Sequence, residues 1–312
     1  MKNIAIIGRT GWLLKSAEIL CENGYNIGAV ITAPAAPEYD VTEVEFERFA
    51  REQNANYLLT TSINSDETLK WIRNQEKMDI AVSINFTGVI GVDVIGSFSH
   101  GILNGHGGDL PRYRGNACQA WAILNGEERV AMCIHRMIPG ELDSGDIVAR
   151  DYFSLAPTTR IGQIHDWMRA VTPKLILEAL SSLSVNPNWV IEKQSLDPQD
   201  SLRCFPRVPD DGKIDWSRSG VDVLRLINAS SEPYAGAYCY LGENLVRFWR
   251  ALPAPIRPPY VAVNGQVLEV NKEEGWVEIA CGGGTSIRVI EMEWDYRAKA
   301  SYFVRSIRSR FR

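Results

Sequence analysis

The feature that most constrains this chain is the alternation running through its first half. Short apolar runs that end in turn residues are separated by stretches with helical spacing. Residues 4–7 form an apolar run ending at Gly8, and a helical pattern follows from Leu13 to about Asn23, stopped by Gly24. Residues 27–32 read as the next strand and 44–53 as the next helix. Residues 57–60, 80–84 and 102–104 read as further strands, with 68–73 helical between the first two of these. Such repetition predicts an α/β fold with a Rossmann-like, mostly parallel sheet and helices on both faces. Ligands of such sheets bind beyond the carboxyl ends of the strands, so the residues just after each strand are the first candidates for function.

After a helical stretch at 119–124, two strand-like runs at 130–137 and 147–153 flank the turn Pro139-Gly140, which predicts an antiparallel hairpin added to the sheet. A long helical pattern covers 161–183 and contains Pro173. An interior proline costs about 3 kcal/mol, so a kink or break is expected there. Residues 185–203 are mostly polar, carry Pro187 and Pro198, and read as a linker between a catalytic domain at 1–184 and a C-terminal domain at 204–312. In the latter, one short helix at 221–227 precedes strand-like runs at 237–241, 245–249, 266–270, 276–280 and 286–292. Asn264-Gly265 and the glycines at 282–284 punctuate them, which predicts a smaller, mostly β, barrel-like domain.

A length of 312 residues suits two domains. A hydrophobic fraction of 45% with 23% charged residues excludes disordered, collagen-like and coiled-coil chains. The formal charge of −5 tells against general nucleic-acid binding. The cysteines (Cys21, Cys118, Cys133, Cys204, Cys239, Cys281) are scattered without a C-x-x-C pair, which fits a reduced cytosolic chain better than a disulfide frame or a zinc site. The apolar stretch 81–98 is interrupted by Ser83, Asn85, Thr87 and Asp93, and the run at 4–7 is too short for an export signal. The expectation is a cytoplasmic protein with no membrane partner.

The first strand-to-helix turn reads Gly8-Arg9-Thr10-Gly11-Trp12. It lacks the G-x-G-x-x-G spacing, and no acid ends the second strand, so a nicotinamide dinucleotide is not expected. The segment reads either as a tight turn or as a wall, made of Arg9, Thr10 and Trp12, for another ligand. Residues 102–146 are richer. Asn104 and His106 stand two apart at a strand end, so both side chains fall on one face before a Gly/Pro-rich loop at 107–115. An amide donor beside an imidazole suits acyl transfer: the amide N–H stabilises an oxyanion while the imidazole takes a proton. Asp143, in a Gly-flanked turn, is a candidate to orient that imidazole and stabilise its charged form. The same residues also read as ordinary capping groups. His100, His135 and His165 read as structural or solvated, and no spacing suits a metal.

Four segments carry a resemblance: Asn104-Gly-His106, Leu110-Pro111-Arg112-Tyr113-Arg114-Gly115, Asn125-Gly126-Glu127 and Leu142-Asp143-Ser144-Gly145-Asp146. Together they resemble the signature of the folate-dependent formyltransferases, N-x-H-x-S-L-L-P-x-Y-R-G, then a helix ending in N-G-E and a later D-x-G. Arg207-x-Pro209-Asp210-Asp211-Gly212, Asp215-Trp216 and Pro233-Tyr234-Ala235-Gly236-Ala237 extend the likeness into the second half, toward the sugar-nucleotide N-formyltransferases and the methionyl-tRNA formyltransferases. The chain departs from the pattern at Gly108-Asp109, where the family has Ser-Leu.

The resemblance implies 10-formyltetrahydrofolate as the donor co-substrate, no metal, and a primary amine as acceptor. It implies Asn104, His106 and Asp143 as catalytic residues, with Ile84, Phe86, Thr87, Gly88, Met137 and Asp143 at the folate. Arg9, Thr10, Trp12, Gly107, Gly108 and Arg112 are the candidates at the acceptor. Residues 33–48 carry Glu38, Asp40, Glu43, Glu45 and Glu47 against Arg48 alone, a sign that repels phosphates of RNA. The tail 297–312, with five Arg, one Lys and no acid, reads as a solvated helical end or as an attractor for a nucleotide diphosphate. The expected acceptor is therefore a nucleotide-linked amino sugar, as in lipopolysaccharide or O-antigen biosynthesis. Methionyl-tRNA is the alternative acceptor, and a non-catalytic folate or nucleotide-sugar binding protein is the alternative of another class. Trp216, Tyr234 and Trp249 either stack on a base or fill the small domain's core. The C-terminal domain is expected to offer a docking surface or a homodimer interface.

Overall fold

The apolar run Ile4–Ile7 becomes an interior strand of a sheet, which explains why it shows no polar alternation: it is buried on both faces. The computed structural model describes residues 2–37, 39–195, 197–256 and 258–312. Glu38, one of the five acids singled out above, lies outside them. In chain order the first part comprises β1 (Asn3–Gly8), α1 (Gly11–Glu22), β2 (Asn26–Thr32), α2 (Glu43–Glu52), β3 (Asn56–Leu59), α3 (Asp66–Arg73), β4 (Ile80–Ile84), α4 (Val92–Ile95), β5 (Ile102–His106), β6 (Tyr113–Gly115), α5 (Cys118–Asn125), β7 (Arg129–Arg136), β8 (Ile147–Ser154), α6 (Ile161–Val185) and β9 (Leu202–Cys204).

Contacts divide the chain into two compact units. One holds residues up to 118, 130–153 and 166–204; the other holds 119–129, 154–165 and 205–312. Among the described residues, the sheet order is β3-β2-β1-β4-β5-β7-β8. The pairs β1–β2, β1–β4, β2–β3 and β4–β5 are parallel and β5–β7 is antiparallel, as the alternation predicted. β8 lies beside β7, where the hairpin was expected. The chain runs outward from β1 through β2 and β3, then returns to β4 on the other side of β1. That reversal opens a crevice at the carboxyl ends of β1 and β4. Gly8 allows these two ends to approach: its φ is +149°, and a Cβ there would lie 2.0 Å from the Ile84 carbonyl oxygen.

Caps set where the flanking helices begin. The Thr10 hydroxyl accepts the Leu13 N–H at the start of α1, and Thr42 and Glu45 form a capping box at the start of α2. α6 differs from expectation. It continues through Pro173 as one helix, although the proline leaves no N–H for the Arg169 carbonyl. Met168, Val171, Leu175, Ile176, Ala179 and Leu180 are buried along it, and at roughly 1.5–3 kcal/mol for each large side chain their burial outweighs the cost of the proline.

The polar, proline-containing segment 185–203 satisfies its backbone along the first unit. Ile147 donates to the Glu192 carbonyl and Ile191 to the Ile147 carbonyl, both at 2.9 Å, and β9 pairs parallel with β6. These bonds are made to residues far away in sequence, and its composition gave no sign of them.

The second unit contains α7 (Gly220–Ser230), β10 (Ala237–Leu241), β11 (Asn244–Pro253), β12 (Val267–Asn271), β13 (Trp276–Ala280), β14 (Ser286–Glu293), β15 (Arg297–Lys299) and α8 (Ala300–Phe303). Its antiparallel sheet runs β10-β11-β14-β13-β12, with β15 on β14. The last residues join the two edges. Tyr240 and Arg312 exchange both backbone bonds at 2.8 Å, Phe311 donates to the Gly265 carbonyl at 2.8 Å, and Val267 donates to the Ser309 carbonyl at 3.1 Å. The sheet is thus closed through its terminus, in keeping with the barrel-like expectation.

The basic tail is therefore not a solvated helical end. α8 is only four residues long, Arg297 pairs with Glu291 and Glu232, and the terminus forms isolated bridges to Gln266 and Leu241, with Phe311 buried against Phe248 and Trp216. Of the three aromatics left open, Trp216 fills this core. Trp249 is also buried, donating to Glu293 beneath the Arg297 guanidinium, and Tyr234 lies edge-on to His165. No helix among the described residues is long and apolar enough to cross a membrane.

Candidate active site

β5 ends in Asn104 and His106, and β7 runs antiparallel beside it with Asn104 directly opposite His135 and His106 opposite Cys133. Directly opposed residues share a face, so the two strands present an amide and two imidazoles on one side. The turn after β7 then returns Asp143 to that face. Asp143 adopts a left-handed φ of +49°, a conformation that aspartate tolerates better than most residues. Gln194 fixes the turn by donating to the carbonyls of Asp143 and Gly145.

The Asp143 carboxylate is the centre of the cluster. Its Oδ1 accepts from Asn104 Nδ2 at 3.3 Å and lies 3.4 Å from His135 Nε2. Its Oδ2 accepts the Gly115 N–H at 2.9 Å and lies 3.5 Å from His106 Nδ1. Burial by itself would raise the pKa of a carboxyl that is only 10% exposed. The charge of His106, the hydrogen bond and charge of His135 and the Gly115 N–H outweigh that and hold Asp143 well below the usual carboxylate range.

Each imidazole has one nitrogen committed to a backbone carbonyl. His106 Nε2 donates to Tyr113 at 2.7 Å, and His135 Nδ1 donates to Arg136 at 2.8 Å. The remaining nitrogen of each ring faces Asp143. Such an assembly can pass a proton between imidazole and carboxylate and present an amide N–H to a developing oxyanion. Among the described residues no group of His, Cys, Asp and Glu is placed to hold a metal ion.

The loop after β5 is anchored by Leu110, which is buried with Ala131, Cys133 and Ile147. Arg150 donates to the Leu110 carbonyl at 3.0 Å, lies 3.9 Å from Asp109 and pairs with Glu192. The Gly108-Asp109 departure thus has an internal consequence: Asp109 faces Arg150. At Gly108 a Cβ would sit 2.5 Å from both His106 Nε2 and the Tyr113 carbonyl oxygen, so the absence of a side chain allows that hydrogen bond.

Among the residues expected at the folate, Ile84 is buried at the end of β4. Phe86 and Met137 pack against one apolar cluster containing Ile90, Val94 and Ile95, which brings the loop after β4 and the turn after β7 together. Thr87 and Gly88 are exposed, with open space around Gly88. Among the residues expected at the acceptor, Arg9 ties three loops: it donates to the carbonyls of Asn85 and Pro34 and lies over the Tyr39 ring. Thr10 is buried as the cap of α1, and Trp12 is half-buried. Gly107 and Gly108 are buried beside His106, whereas Arg112 is exposed over the Tyr113 ring. Sequence reasoning missed His135, Gln194 and the Tyr113 carbonyl as members of the site. His135 stands two residues after Cys133 on a strand, but only the pairing register places it opposite Asn104.

The formyl transferase family model matches residues 2–180, and that of the formyl transferase C-terminal domain matches 208–307. Among solved structures, the sugar 3N-formyl transferase WlaRD, with dTDP and 5-N-formyl-THF, superposes with a TM-score of 0.69 at 17% identity, over 93% of this chain and 97% of its own. An N-formyltransferase from Helicobacter canadensis, in complex with folinic acid and dTDP-3-aminofucose, gives 0.65 at 16% identity, over 93% and 99%. HypX from Aquifex aeolicus, in complex with tetrahydrofolic acid, gives 0.60 at 18% identity, over 98% of this chain and 47% of HypX. The chain therefore spans about half the length of the HypX structures it matches. At these identities the likeness to solved structures is one of fold. With both halves of the sequence matched by the family models, the chain belongs to the formyl transferase family.

Proposed function

We propose that this protein transfers a formyl group from 10-formyltetrahydrofolate to the primary amine of a nucleotide-linked amino sugar. The observation that carries the reading is the convergence of Asn104, His106 and Asp143 around one buried, ionised carboxylate in a chain of this family. The amine lone pair attacks the formyl carbon and the carbonyl electrons move onto oxygen. The Asn104 N–H stabilises that oxyanion, joined by the His106 imidazole, which becomes positive only as it takes up the amine's proton. The attacking nitrogen loses one proton to the His106–Asp143 pair. Because His106 Nε2 is committed to Tyr113, Nδ1 is the nitrogen that exchanges it. Collapse of the intermediate breaks the bond from carbon to N10, which takes the proton and leaves as tetrahydrofolate. Phe86, Thr87, Gly88 and Met137 are assigned to the donor, and Arg9, Trp12 and the 107–112 loop to the acceptor.

Supporting a sugar-nucleotide acceptor, two sugar-related neighbours match over nearly their whole lengths, one with dTDP and one with dTDP-3-aminofucose. The acid-rich segment also contains Asp40, paired with Arg169, and α2 opens with Glu43 and Glu45. A place in lipopolysaccharide or O-antigen biosynthesis would follow from such an acceptor.

The test is tetrahydrofolate release from 10-formyltetrahydrofolate with a panel of nucleotide-linked amino sugars beside initiator methionyl-tRNA, with product masses checked for one added formyl group. Turnover with a sugar nucleotide alone is expected. Turnover with tRNA alone would replace the acceptor, and donor binding without turnover of any amine would replace the enzyme by a binding protein. Asn104→Ala and His106→Ala should each lower kcat on the order of 10²–10³-fold, the usual effect of losing an oxyanion donor.

A further inference from the structure

A buried hydroxyl beside the site has no partner among the described residues. Ser83, on β4, is 1% exposed, and its Oγ makes no hydrogen bond. Buried polar groups are almost always paired, because desolvation without a partner is unfavourable, so an orphan calls for a reason.

The pairing register fixes which way it faces. Ile31, Ile7, Ser83, Asn104 and His135 stand opposite one another, in that order, across β2, β1, β4, β5 and β7. Residues in such a row share one face of the sheet. The row is apolar on β2 and β1 and polar from β4 onward, so Ser83 flanks Asn104 on the side away from His135. Ala81, two residues earlier on β4, belongs with Ile7 and Ile102 to the apolar cluster against which Phe86 and Met137 pack. Ser83 thus lies on the face over which these two side chains, both assigned to the folate, are packed. Its neighbour Ile84 points to the opposite face, where a Cβ on Gly105 would lie 2.9 Å from the Ile84 side chain.

We propose that Ser83 is a further folate-binding residue, whose Oγ accepts a hydrogen bond from the N5–H group of the reduced pterin. This assignment rests on the formyl-transfer reading. In 10-formyltetrahydrofolate, N5 and N10 are linked through C6 and C9 alone, so a molecule that places its formyl group at Asn104 holds N5 close by. The strands on either side of Asn104 each lie about 4.8 Å away, the ordinary spacing in a sheet. On β7, His135 is engaged by the Arg136 carbonyl and by Asp143. On β4, the Ser83 hydroxyl is unengaged. A few placed polar groups in an apolar pocket orient a flat ligand, and this hydroxyl stands at the border between the apolar and polar parts of the row. Because the hydroxyl is already desolvated in the free protein, the bond to N5 adds to affinity without a further desolvation cost on the protein side.

The test is a binding cycle that needs no acceptor. Tetrahydrofolate and 5-deazatetrahydrofolate, which has CH2 in place of N5–H, are titrated calorimetrically into wild type and Ser83→Ala. The variant should bind tetrahydrofolate about tenfold more weakly than wild type, the order of one buried hydrogen bond. The deaza compound should bind the two proteins within about twofold of each other, because both changes remove the same contact. Equal affinity of the two proteins for tetrahydrofolate, or an equal loss with both ligands, overturns the proposal. The free proteins give a second measurement. Removing an unpaired buried hydroxyl should raise the thermal midpoint by roughly 2–4 °C. A midpoint at or below that of wild type means that the hydroxyl is already bonded and overturns the proposal. Wild type that binds neither compound would remove the formyl-transfer reading and this contact with it, whereas tetrahydrofolate binding that is indifferent to Ser83 removes the contact alone.

Discussion

Asp143 illustrates how single residues here owe their properties to distant neighbours. It is buried, yet ionised, because His106, His135 and the Gly115 N–H outweigh its desolvation. Since its pKa is lower folded than unfolded, its ionised form stabilises the native state. That contribution is complete above the ordinary carboxylate value of about 4 and disappears as the pH falls through the native value. Urea unfolding of wild type and Asp143→Asn between about pH 7 and pH 3 should show a wild-type advantage that narrows below about pH 4. Gly108 is equally dependent on context. In Gly108→Ala the new Cβ meets His106 Nε2 and the Tyr113 carbonyl at 2.5 Å, so the ring must leave its hydrogen bond. We expect kcat to fall by about 10²-fold with a stability loss of roughly 1–3 kcal/mol, read from steady-state kinetics and urea unfolding of the same preparation.

At the scale of elements, the most consequential segment is one that forms no regular strand or helix. The terminal residues 309–312 supply the backbone bridges that join β10 to the β12 edge, and Phe311 fills the core between Phe248 and Trp216. Phe311→Ala should therefore cost about 3–5 kcal/mol, seen as a lower midpoint for the transition that reports on the tryptophans of the second unit. Trp216 fluorescence is a suitable probe, because its ring is 5% exposed and packs on the deleted one. The strands of this unit and its barrel-like form were legible from turn signals and alternation, but the part its terminus plays in closing it was not. A run of Arg and Ser around one Phe has no strand period, and the pairing partners lie up to 72 positions away, from Tyr240 to Arg312. The persistence of α6 through Pro173 has the same origin, in burial that local propensity does not report.

Charge and acceptor choice belong to the whole molecule. The net charge is −5, and of the tail arginines Arg297 is engaged by Glu291 and Glu232 while Arg305, Arg308, Arg310 and Arg312 are exposed. A sugar nucleotide carries two phosphates, so the acceptor KM should change by less than about tenfold between roughly 50 and 200 mM salt. Docking of RNA through about 6–10 phosphates would weaken by roughly 10³–10⁵ over that range. Acceptor KM values measured across a salt series distinguish these cases.

Much of this molecule was legible from residues near one another in the chain. The strand–helix alternation gave the parallel sheet, the turns gave the β-rich C-terminal unit, and Asn104 and His106 stand two apart because a strand turns every second residue to the same face. Asp143 was visible as a residue type in a Gly-flanked turn, though its neighbours were not. What tertiary structure alone decided is which distant groups meet: His135 opposite Asn104 across 31 positions, Gln194 beneath Asp143, Arg150 between Asp109 and Glu192, and the terminus between β10 and β12. Strand register and loop return depend on the packing of the entire sheet, and a one-residue slip would turn His135 to the opposite face.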